Sequence, residues 1–391
     1  MLCSIAENKL SYDLLQSKLE HDPNINQALA NYAMFGGMEP FKKGIANMLE
    51  KYVFHCAANT VNTQHLCVGA GTTALLEGIF FALCDQGDSV IIPSPMYPAF
   101  VTDARVRAGV KVIPASLTDT AAAAEGKVAF KINVEELERA YQKGKDEGSP
   151  VKAVVLCSPN NPTGTVFSSD ELNEVIAFCR KHNIHLISDE IYALSIFGEK
   201  PFVSVYELLD GKLGNDIHIV SGFSKDFCLN GYRAGYIYTQ NAQLLRYLYK
   251  EYVFFQCSNP VQSVLANILN DDAFLGNFIQ ENQKRLKSHY ALTLQLLKEQ
   301  NIPYIDSDSG MYLLLDVRQL LKEQTFDAEL PVWCELFKQS KVLVNSGKST
   351  LGDVPGLFRF IFCHKEPQLR IAIQRLGKAY NNILATTSKS V

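Results

Sequence analysis

The feature that most constrains the fold is a regular alternation of short apolar, β-rich runs and helical patterns between about Leu66 and Tyr238. Strands and helices that alternate in this way form a mostly parallel sheet with crossover helices. The helices have start signals, such as the capping-box spacing of Ser168 and Glu171. The predicted strands are VIIP (90–93), VKVIPA (110–115), VKAVVLCS (151–158), IHLISDE (184–190), IHIVSGFS (217–224) and GYIYT (235–239). The sequence therefore predicts an α/β protein with a mostly parallel central sheet.

The pattern changes after about Asn259, where a long helical stretch is followed by strand-like runs and a closing helix. This arrangement is typical of a smaller α+β domain. We expect a large domain over residues 26–262 and a small domain formed by residues 1–25 and 263–391. The stretches that carry the second pattern are the helix 273–301, the strands MYLLLDV (311–317), KVLVN (341–345) and LFRFIF (357–362), and the helix 366–380.

Composition narrows the class of protein. The 391 residues are 47% hydrophobic and 20% charged, which is typical of a globular enzyme. The net charge of -4 gives no basic patch for nucleic acid, and no apolar run is long enough to span a membrane. Ten scattered cysteines without a C-x-x-C pair favour reduced thiols over structural zinc, so no metal site is expected. We expect a soluble cytoplasmic protein.

Three polar loops follow predicted strands directly. They are Pro159–Gly164, Asp189–Tyr192 and Ser224–Lys225. Because ligands of open α/β sheets bind at the carboxyl ends of the strands, we expect these loops to meet at one rim.

Within that rim, Lys225 and Arg233 are eight residues apart. A lysine amine can condense with an aldehyde, and a nearby arginine can bind a phosphate of the same molecule. The pair therefore suggests pyridoxal 5'-phosphate as cofactor. Taken alone, Lys225 fits a solvated surface lysine better, as most lysines do.

Other residues match the remaining parts of that cofactor. Its ring nitrogen needs a carboxylate, and Asp189 follows a strand, although an aspartate there could also cap a helix. Tyr192 and Asn161 could bind the phenolic oxygen, although the run NNPTG could be a plain turn. The glycine-rich GAGTT (69–73) before a helical run suits a phosphate.

Two more residues complete the set. Tyr97 in PSPMYPAF could stack on the ring. Arg359 interrupts the apolar strand LFRFIF and could bind the α-carboxylate of an amino acid with two hydrogen bonds, although a buried structural pair is an alternative.

These residues lie in stretches that resemble the fold-type I pyridoxal phosphate enzymes, the aspartate aminotransferase superfamily. Within it the chain is most similar to 1-aminocyclopropane-1-carboxylate synthases. The matching stretches, in family order, are AENKLSYDLL (6–15), GMEPFKKGIA (37–46), MYPAF (96–100), RAGVKVIP (107–114), SPNNPTGTVFSSDEL, HLISDEIYA, HIVSGFSKDFCLNGYRAG, ILNDDAFLGNFIQENQKRL and PGLFRFIF.

The resemblance implies a role for each matching residue. Lys225 would form the Schiff base and remove the Cα proton of the substrate in the external aldimine. Arg359 would bind the substrate carboxylate, and Glu7 would lie near the substrate. The family's members are homodimers with shared active sites, and Tyr32 matches the spacing of a tyrosine that reaches the partner subunit's phosphate. The implied cofactor contacts are Gly71, Thr72, Tyr97, Asn161, Asp189, Tyr192, Ser224 and Arg233.

Three departures bear on the reaction. Phe35 replaces a tyrosine of the synthases, Thr102 replaces an arginine, and Gly222 replaces the first serine of their S-x-S-K run. The resemblance implies γ-elimination or γ-replacement on S-adenosylmethionine or a related amino acid. Phe35, Tyr32 and Thr102 favour the alternative, transamination between an amino acid and a 2-oxo acid. A third class, a non-catalytic relic or regulator, is disfavoured because the cofactor set is intact.

Overall fold

The computed structural model describes residues 1, 3–20, 27–32 and 35–387. In that part of the chain the strands are β1 (Leu66–Gly69), β2 (Ser89–Ser94), β3 (Lys111–Ser116), β4 (Val151–Cys157), β5 (His185–Asp189), β6 (Ile217–Gly222), β7 (Gly235–Thr239), β8 (Tyr304–Ile305), β9 (Tyr312–Asp316) and β10 (Leu357–Ile361). The helices are α1 (Tyr12–Glu20), α2 (Glu39–Tyr52), α3 (Thr72–Leu83), α4 (Ala99–Arg105), α5 (Thr120–Ala124), α6 (Val134–Asp146), α7 (Ser169–His182), α8 (Val205–Leu208), α9 (Ala242–Phe255), α10 (Asn259–Leu269), α11 (Asp272–Glu299), α12 (Phe326–Ser340) and α13 (Glu366–Thr387).

A seven-stranded sheet in the order β1-β7-β6-β5-β4-β2-β3 confirms the predicted mostly parallel architecture. Strand β7 differs from the sequence prediction, because it pairs antiparallel with both β1 and β6. A parallel pair needs a crossover connection, usually a helix. The segment between β6 and β7 holds only the 3-10 turn Asn230–Tyr232, so the chain returns in the opposite direction.

The strands are apolar throughout because both faces of the sheet are covered. In β2, Val90 and Ile92 belong to one hydrophobic core, whereas Ile91 belongs to the other. The same alternation in β4 sends Val155 to the first core and Val154 to the second. Packing on both faces of the sheet fixes the position of the strand ends. It therefore also fixes where the loops after the strands begin.

A smaller antiparallel sheet has the order β10-β9-β8. The predicted regular strand over 341–345 is wrong, because Leu343 and Asn345 form only isolated bridges, that of Asn345 with Arg359. The backbone of Leu343 exchanges hydrogen bonds with Met1 and Cys3. The segment is therefore paired with the first residues of the chain and with β10, but at single residues and without a continuous ladder.

The predicted division into two domains stays a prediction. The boundary between residues 25 and 26 lies outside the described residues, and helix α10 continues across the boundary between 262 and 263. Among the described residues, no helix is both long enough and apolar enough to cross a membrane.

Candidate active site

A cavity of about 240 Å³ opens at the carboxyl ends of β4, β5 and β6. Cys157 ends β4 and Asp189 ends β5, so two neighbouring strands deliver polar side chains to the same place. The predicted convergence at one rim is therefore what the structure shows. Eight of the predicted site residues line the cavity: Thr72, Tyr97, Asn161, Asp189, Tyr192, Ser224, Lys225 and Arg233.

Lys225 follows β6 and enters the cavity from that strand. Its Nζ donates a hydrogen bond to the carbonyl oxygen of Ala6 at 2.9 Å. Burial, and then the positive charge of Arg359, lower the pKa of the Lys225 amine from 10.5 to about 8. A lysine with this pKa has a much larger neutral fraction near pH 8, which suits an amine that must act as a nucleophile.

This pKa predicts unusual labelling behaviour. At pH 8 about half of the Lys225 amines are neutral, so the neutral fraction of Lys225 is on the order of a hundredfold larger than that of an ordinary lysine. Limited reductive methylation followed by peptide mass spectrometry measures this. The methylation rate of Lys225 should rise up to about pH 8 and then level off, while the methylation rates of surface lysines continue to rise with pH. A Lys225 profile that follows the surface lysines would contradict the lowered pKa.

Asp189 lies on the cavity floor and is only 4% exposed. Its Oδ1 accepts one hydrogen bond from the backbone N–H of Ile191 at 3.2 Å. Burial raises the pKa of this carboxyl to about 7. Because a turn and not a helix follows, Asp189 is no helix cap. A buried acid with so little compensation fits a cationic partner in the cavity.

Arg359, Asn161 and Tyr192 form a hydrogen-bonded chain across the cavity wall. Arg359 Nη1 donates to Asn161 Oδ1 at 2.8 Å, and Asn161 Nδ2 donates to the Tyr192 hydroxyl at 3.3 Å. Arg359 Nη2 also donates to the carbonyl of Ser4 and to Asn345 Oδ1, both at 2.9 Å. Its Nε is buried and has no hydrogen-bond partner among the residues that the structure describes. The structure thus ties the predicted carboxylate-binding arginine to the predicted cofactor residues.

At the predicted phosphate site, the Arg233 guanidinium lies close to the backbone of Gly71. Gly71, with φ of 86°, directly precedes α3. A Cβ at Gly71 would lie 2.5 Å from Nη2 of Arg233. The same guanidinium donates to the carbonyls of Asn230, at 2.8 Å, and Ala70, at 3.4 Å. Glycine is therefore needed here both for its backbone angle and for the space that it leaves to Arg233.

We expect Gly71→Ala to weaken phosphate binding about tenfold or more, because the methyl group displaces the Arg233 guanidinium. Gly87→Ala is the matched control, since Gly87 has a similar φ of 94° and open space around it. Both variants carry the same backbone strain, so only the contact differs. Equilibrium dialysis with pyridoxal 5'-phosphate gives the two dissociation constants. Equal losses in the two variants would show that the Arg233 contact is irrelevant.

The sequence model of the aminotransferase class I and II family matches residues 2–376. The chain belongs to this family. It is 33% identical over 396 residues to the 1-aminocyclopropane-1-carboxylate synthase 4 of Solanum lycopersicum, covering 97% of this chain and 81% of that protein. A 1-aminocyclopropane-1-carboxylate synthase of Nicotiana tabacum is 33% identical over 387 residues, covering 95% and 77%.

Solved structures agree on the fold. The aspartate aminotransferase from Thermus thermophilus with maleate has a TM-score of 0.81 at 21% identity, covering 97% of this chain and 91% of that one. The aromatic aminotransferase from Pyrococcus horikoshii OT3 has a TM-score of 0.81 at 21% identity, covering 98% and 95%. The predicted resemblance is confirmed, and the chain is a member of a family of pyridoxal-phosphate-dependent enzymes.

Four of the predicted residues are not among those that line the cavity. Gly71 and Arg359 lie directly behind lining residues, Gly71 against Arg233 and Arg359 against Asn161. The other two lie further away. The Glu7 side chain is 43% exposed and pairs with Lys9 at 3.5 Å. Tyr32 is 99% exposed and touches no part of the cavity of its own chain. The contribution of Tyr32 to a partner subunit stays a prediction.

The departures from the synthase pattern have different structural settings. A Cβ at Gly222 would lie 2.8 Å from the carbonyl of Ala234, so the backbones of β6 and β7 leave no room for a serine there. Phe35 is 65% exposed and makes an edge contact with Tyr252. Thr102 lies on α4 and is not among the residues that line the cavity.

Sequence reasoning missed three groups in or at the cavity. Asp103 and Asn230 line it, and the carbonyl of Ala6 accepts hydrogen bonds from both Lys225 and Asn230. Asp103 had a signal, since it lies one turn after Phe100 on the buried side of a short helix. The Ala6 carbonyl had no such signal, because every residue has a backbone carbonyl and the sequence does not show which one enters a site.

Proposed function

We propose that the chain binds pyridoxal 5'-phosphate in this cavity and uses it to act on an α-amino acid. The observation that carries the proposal is the shared cavity of Lys225, Asp189 and Arg233. These three side chains supply an amine for the aldehyde, a carboxylate for the ring nitrogen and a cation for the phosphate. The donor set fits the cofactor, because the under-compensated Asp189 suits a pyridinium, and Arg233 together with the N-terminus of α3 at Thr72 suits a phosphate.

The remaining residues take roles that their positions support. Tyr97 makes an edge contact with Phe100 at 5.4 Å between centroids, which fixes the ring that would stack on the cofactor. Asn161 and Tyr192 are hydrogen-bonded to each other and would share the phenolic oxygen. Thr72, Gly71 and Ser224 would complete the phosphate site.

When bound, the cofactor supplies an electron-accepting ring that acidifies the substrate Cα. Lys225 would take the Cα proton, since its lowered pKa suits a base near neutral pH. Arg359 would hold the α-carboxylate with its Nε–H and one Nη1–H, the donors that its contacts with Asn161, Ser4 and Asn345 leave free. With its carboxylate held by Arg359, the substrate would direct its Cα–H bond towards Lys225.

For the reaction we propose the synthase type, γ-elimination or γ-replacement on S-adenosylmethionine or a related amino acid. In ring closure the Cα–Cγ bond forms while the Cγ–S bond breaks, and methylthioadenosine leaves with the electron pair of that bond. Support comes from the similarity to several proteins named 1-aminocyclopropane-1-carboxylate synthase over most of the chain.

Transamination is the second candidate. Phe35 has no hydroxyl to donate, and Thr102 lacks the charge that an arginine would bring. If these positions contact S-adenosylmethionine as the resemblance to the synthases implies, both changes would remove polar contacts to that large substrate, and a smaller amino acid with a 2-oxo acid partner would lose less.

A substrate panel separates the two candidates. The chain loaded with pyridoxal 5'-phosphate is incubated with S-adenosylmethionine, and separately with a series of amino acids and 2-oxo acids. Methylthioadenosine together with a cyclic amino acid supports the synthase reaction. New 2-oxo acids without methylthioadenosine support transamination. If neither forms while cofactor is bound, both reactions are refuted.

We further infer a homodimer in the cytoplasm. Four aromatic or β-branched side chains at two neighbouring segments are exposed by 61% or more, which a subunit contact would cover: Tyr32, Phe35, Val253 and Phe254. All ten cysteines are free thiols, which suits a reducing compartment.

We expect Val253→Asp with Phe254→Asp to convert the dimer to a monomer, because two buried carboxylates would oppose association. Sedimentation velocity measures the change. The matched control is Val106→Asp, an exposed valine on a different segment with 77% exposure. A wild-type chain that sediments as a monomer would contradict the inferred dimer.

A further inference from the structure

Asp103 is a buried carboxyl for which the cofactor contacts above give no role. It lies on α4, lines the cavity, and is only 8% exposed. Its Oδ2 is buried and has no hydrogen-bond partner among the described residues. An acid in this state costs folding free energy, so an unpaired position is unusual unless a ligand supplies the partner.

The neighbours of Asp103 in the cavity include the carboxyl that would hold the ring nitrogen. Asp103, Asp189 and Tyr97 all line this one cavity of about 240 Å³. Burial, and after it the negative charge of Asp103, raises the pKa of Asp189 and that of Tyr97. In so small a cavity the Asp103 carboxylate lies close enough to act on a charge that is held at Asp189.

Other charged groups surround Asp103 from the side of α3. Burial, and then the charge of Glu77, raise the pKa of Asp103 to about 7. Within the described part of the chain, Glu77 is hydrogen-bonded through Oε2 to Arg107 at 3.1 Å, and its buried Oε1 has no hydrogen-bond partner. Arg107 lies 3.8 Å from Glu251 on α9. Two acids, Asp189 and Glu77, thus interact electrostatically with Asp103, while the positive charge of Arg107 is paired with Glu77 and Glu251.

We propose that Asp103 is a positioning residue that, together with Asp189, keeps the proton on the ring nitrogen of bound pyridoxal phosphate. The inference rests on the proposed function, since it needs the cofactor in this cavity. Two carboxylates near one pyridinium stabilise its charged form more than one carboxylate does. The protonated ring accepts electrons from the substrate Cα, so Asp103 supports the chemistry through Asp189 without touching the substrate.

The arrangement also accounts for the cost of burying Asp103. In a low-dielectric pocket its charge repels those of Asp189 and Glu77, and a cation on the floor offsets both repulsions. A purely structural aspartate would be expected to hold a backbone N–H or a basic side chain with each buried oxygen. The unpartnered Oδ2 of Asp103 does not fit that role.

The test measures the ring nitrogen directly. Wild-type chain, Asp103→Asn and Asp103→Glu are loaded with cofactor that carries ¹⁵N in the ring, and the ¹⁵N chemical shift is followed from pH 6 to 10. We expect Asp103→Asn to lower the pKa of the ring nitrogen by about one unit or more, because a negative charge is lost. Asp103→Glu keeps the charge and should retain most of the wild-type value.

Controls separate the possible failures. Equilibrium dialysis of each variant reports cofactor affinity, and Asp103→Ser provides a second neutral variant should the asparagine chain not fold. A ring-nitrogen pKa that stays unchanged in a neutral variant with bound cofactor overturns this inference and leaves the proposed function intact. A wild-type chain that takes up no cofactor overturns the proposed function, and the inference with it.

Discussion

Replacing Lys225 with alanine is expected to abolish covalent attachment of pyridoxal phosphate and to lower kcat/KM by about 10³-fold or more. Lys225 is the only lysine among the described residues that line the cavity, so no other amine can take its place. The variant should still bind the cofactor through Arg233 and Asp189. Borohydride reduction followed by peptide mass spectrometry locates the attached cofactor, and steady-state kinetics give the loss of activity.

Lys42→Ala is the matched control for this experiment. Lys42 is also buried, with 5% exposure, but it lies on α2 outside the cavity and pairs with Glu39 at 3.6 Å. It should lose stability without losing covalent attachment. Reduced cofactor on a single other lysine of Lys225→Ala, with activity retained, would show that the Schiff-base lysine has been misassigned.

Much of the site could be predicted because its residues follow strands directly. Apolar runs with sharp polar ends predict where a strand stops, and a parallel sheet brings those stops to one edge. Asp189 and Lys225 were found in this way, and both line the cavity. Arg359 was found by a different signal, a charge inside an apolar strand, and burial with three hydrogen-bonded partners confirms how unusual that position is.

The rest depends on contacts between distant parts of the chain. The carbonyls of Ser4 and Ala6 reach Arg359 and Lys225 because the first residues of the chain run along the small sheet. The same segment also pairs with Leu343, which together with Asn345 forms isolated bridges where the sequence predicts a regular strand. Residue type predicts local propensity, but it carries little information about which backbone groups meet across more than 200 residues. Asp103 was missed for a related reason, since only packing of α4 shows that its carboxyl faces the cavity.

The second large effect is expected for Arg359→Lys, which should lower kcat/KM for an α-amino acid by about 10²-fold or more. A lysine keeps the charge but cannot reproduce the planar fork that binds a carboxylate with two parallel hydrogen bonds. It also leaves Asn161 Oδ1 and Asn345 Oδ1 without the donors that hold them at 2.8 and 2.9 Å. Most of the loss should appear in KM, because the carboxylate is bound before and during the reaction.

An amine substrate without the carboxylate distinguishes recognition from damage to the site. If Arg359 binds the carboxylate, the decarboxylated analogue reacts slowly with wild type and is slowed little further by Arg359→Lys. Arg318→Lys is the matched control, because Arg318 makes a similar two-bonded pair with Asp316, at 2.8 and 2.7 Å, beyond the end of β9 and outside the cavity. An equal loss with both substrates in Arg359→Lys would mean that the arginine acts by positioning Asn161 and Tyr192, and that the carboxylate is bound elsewhere.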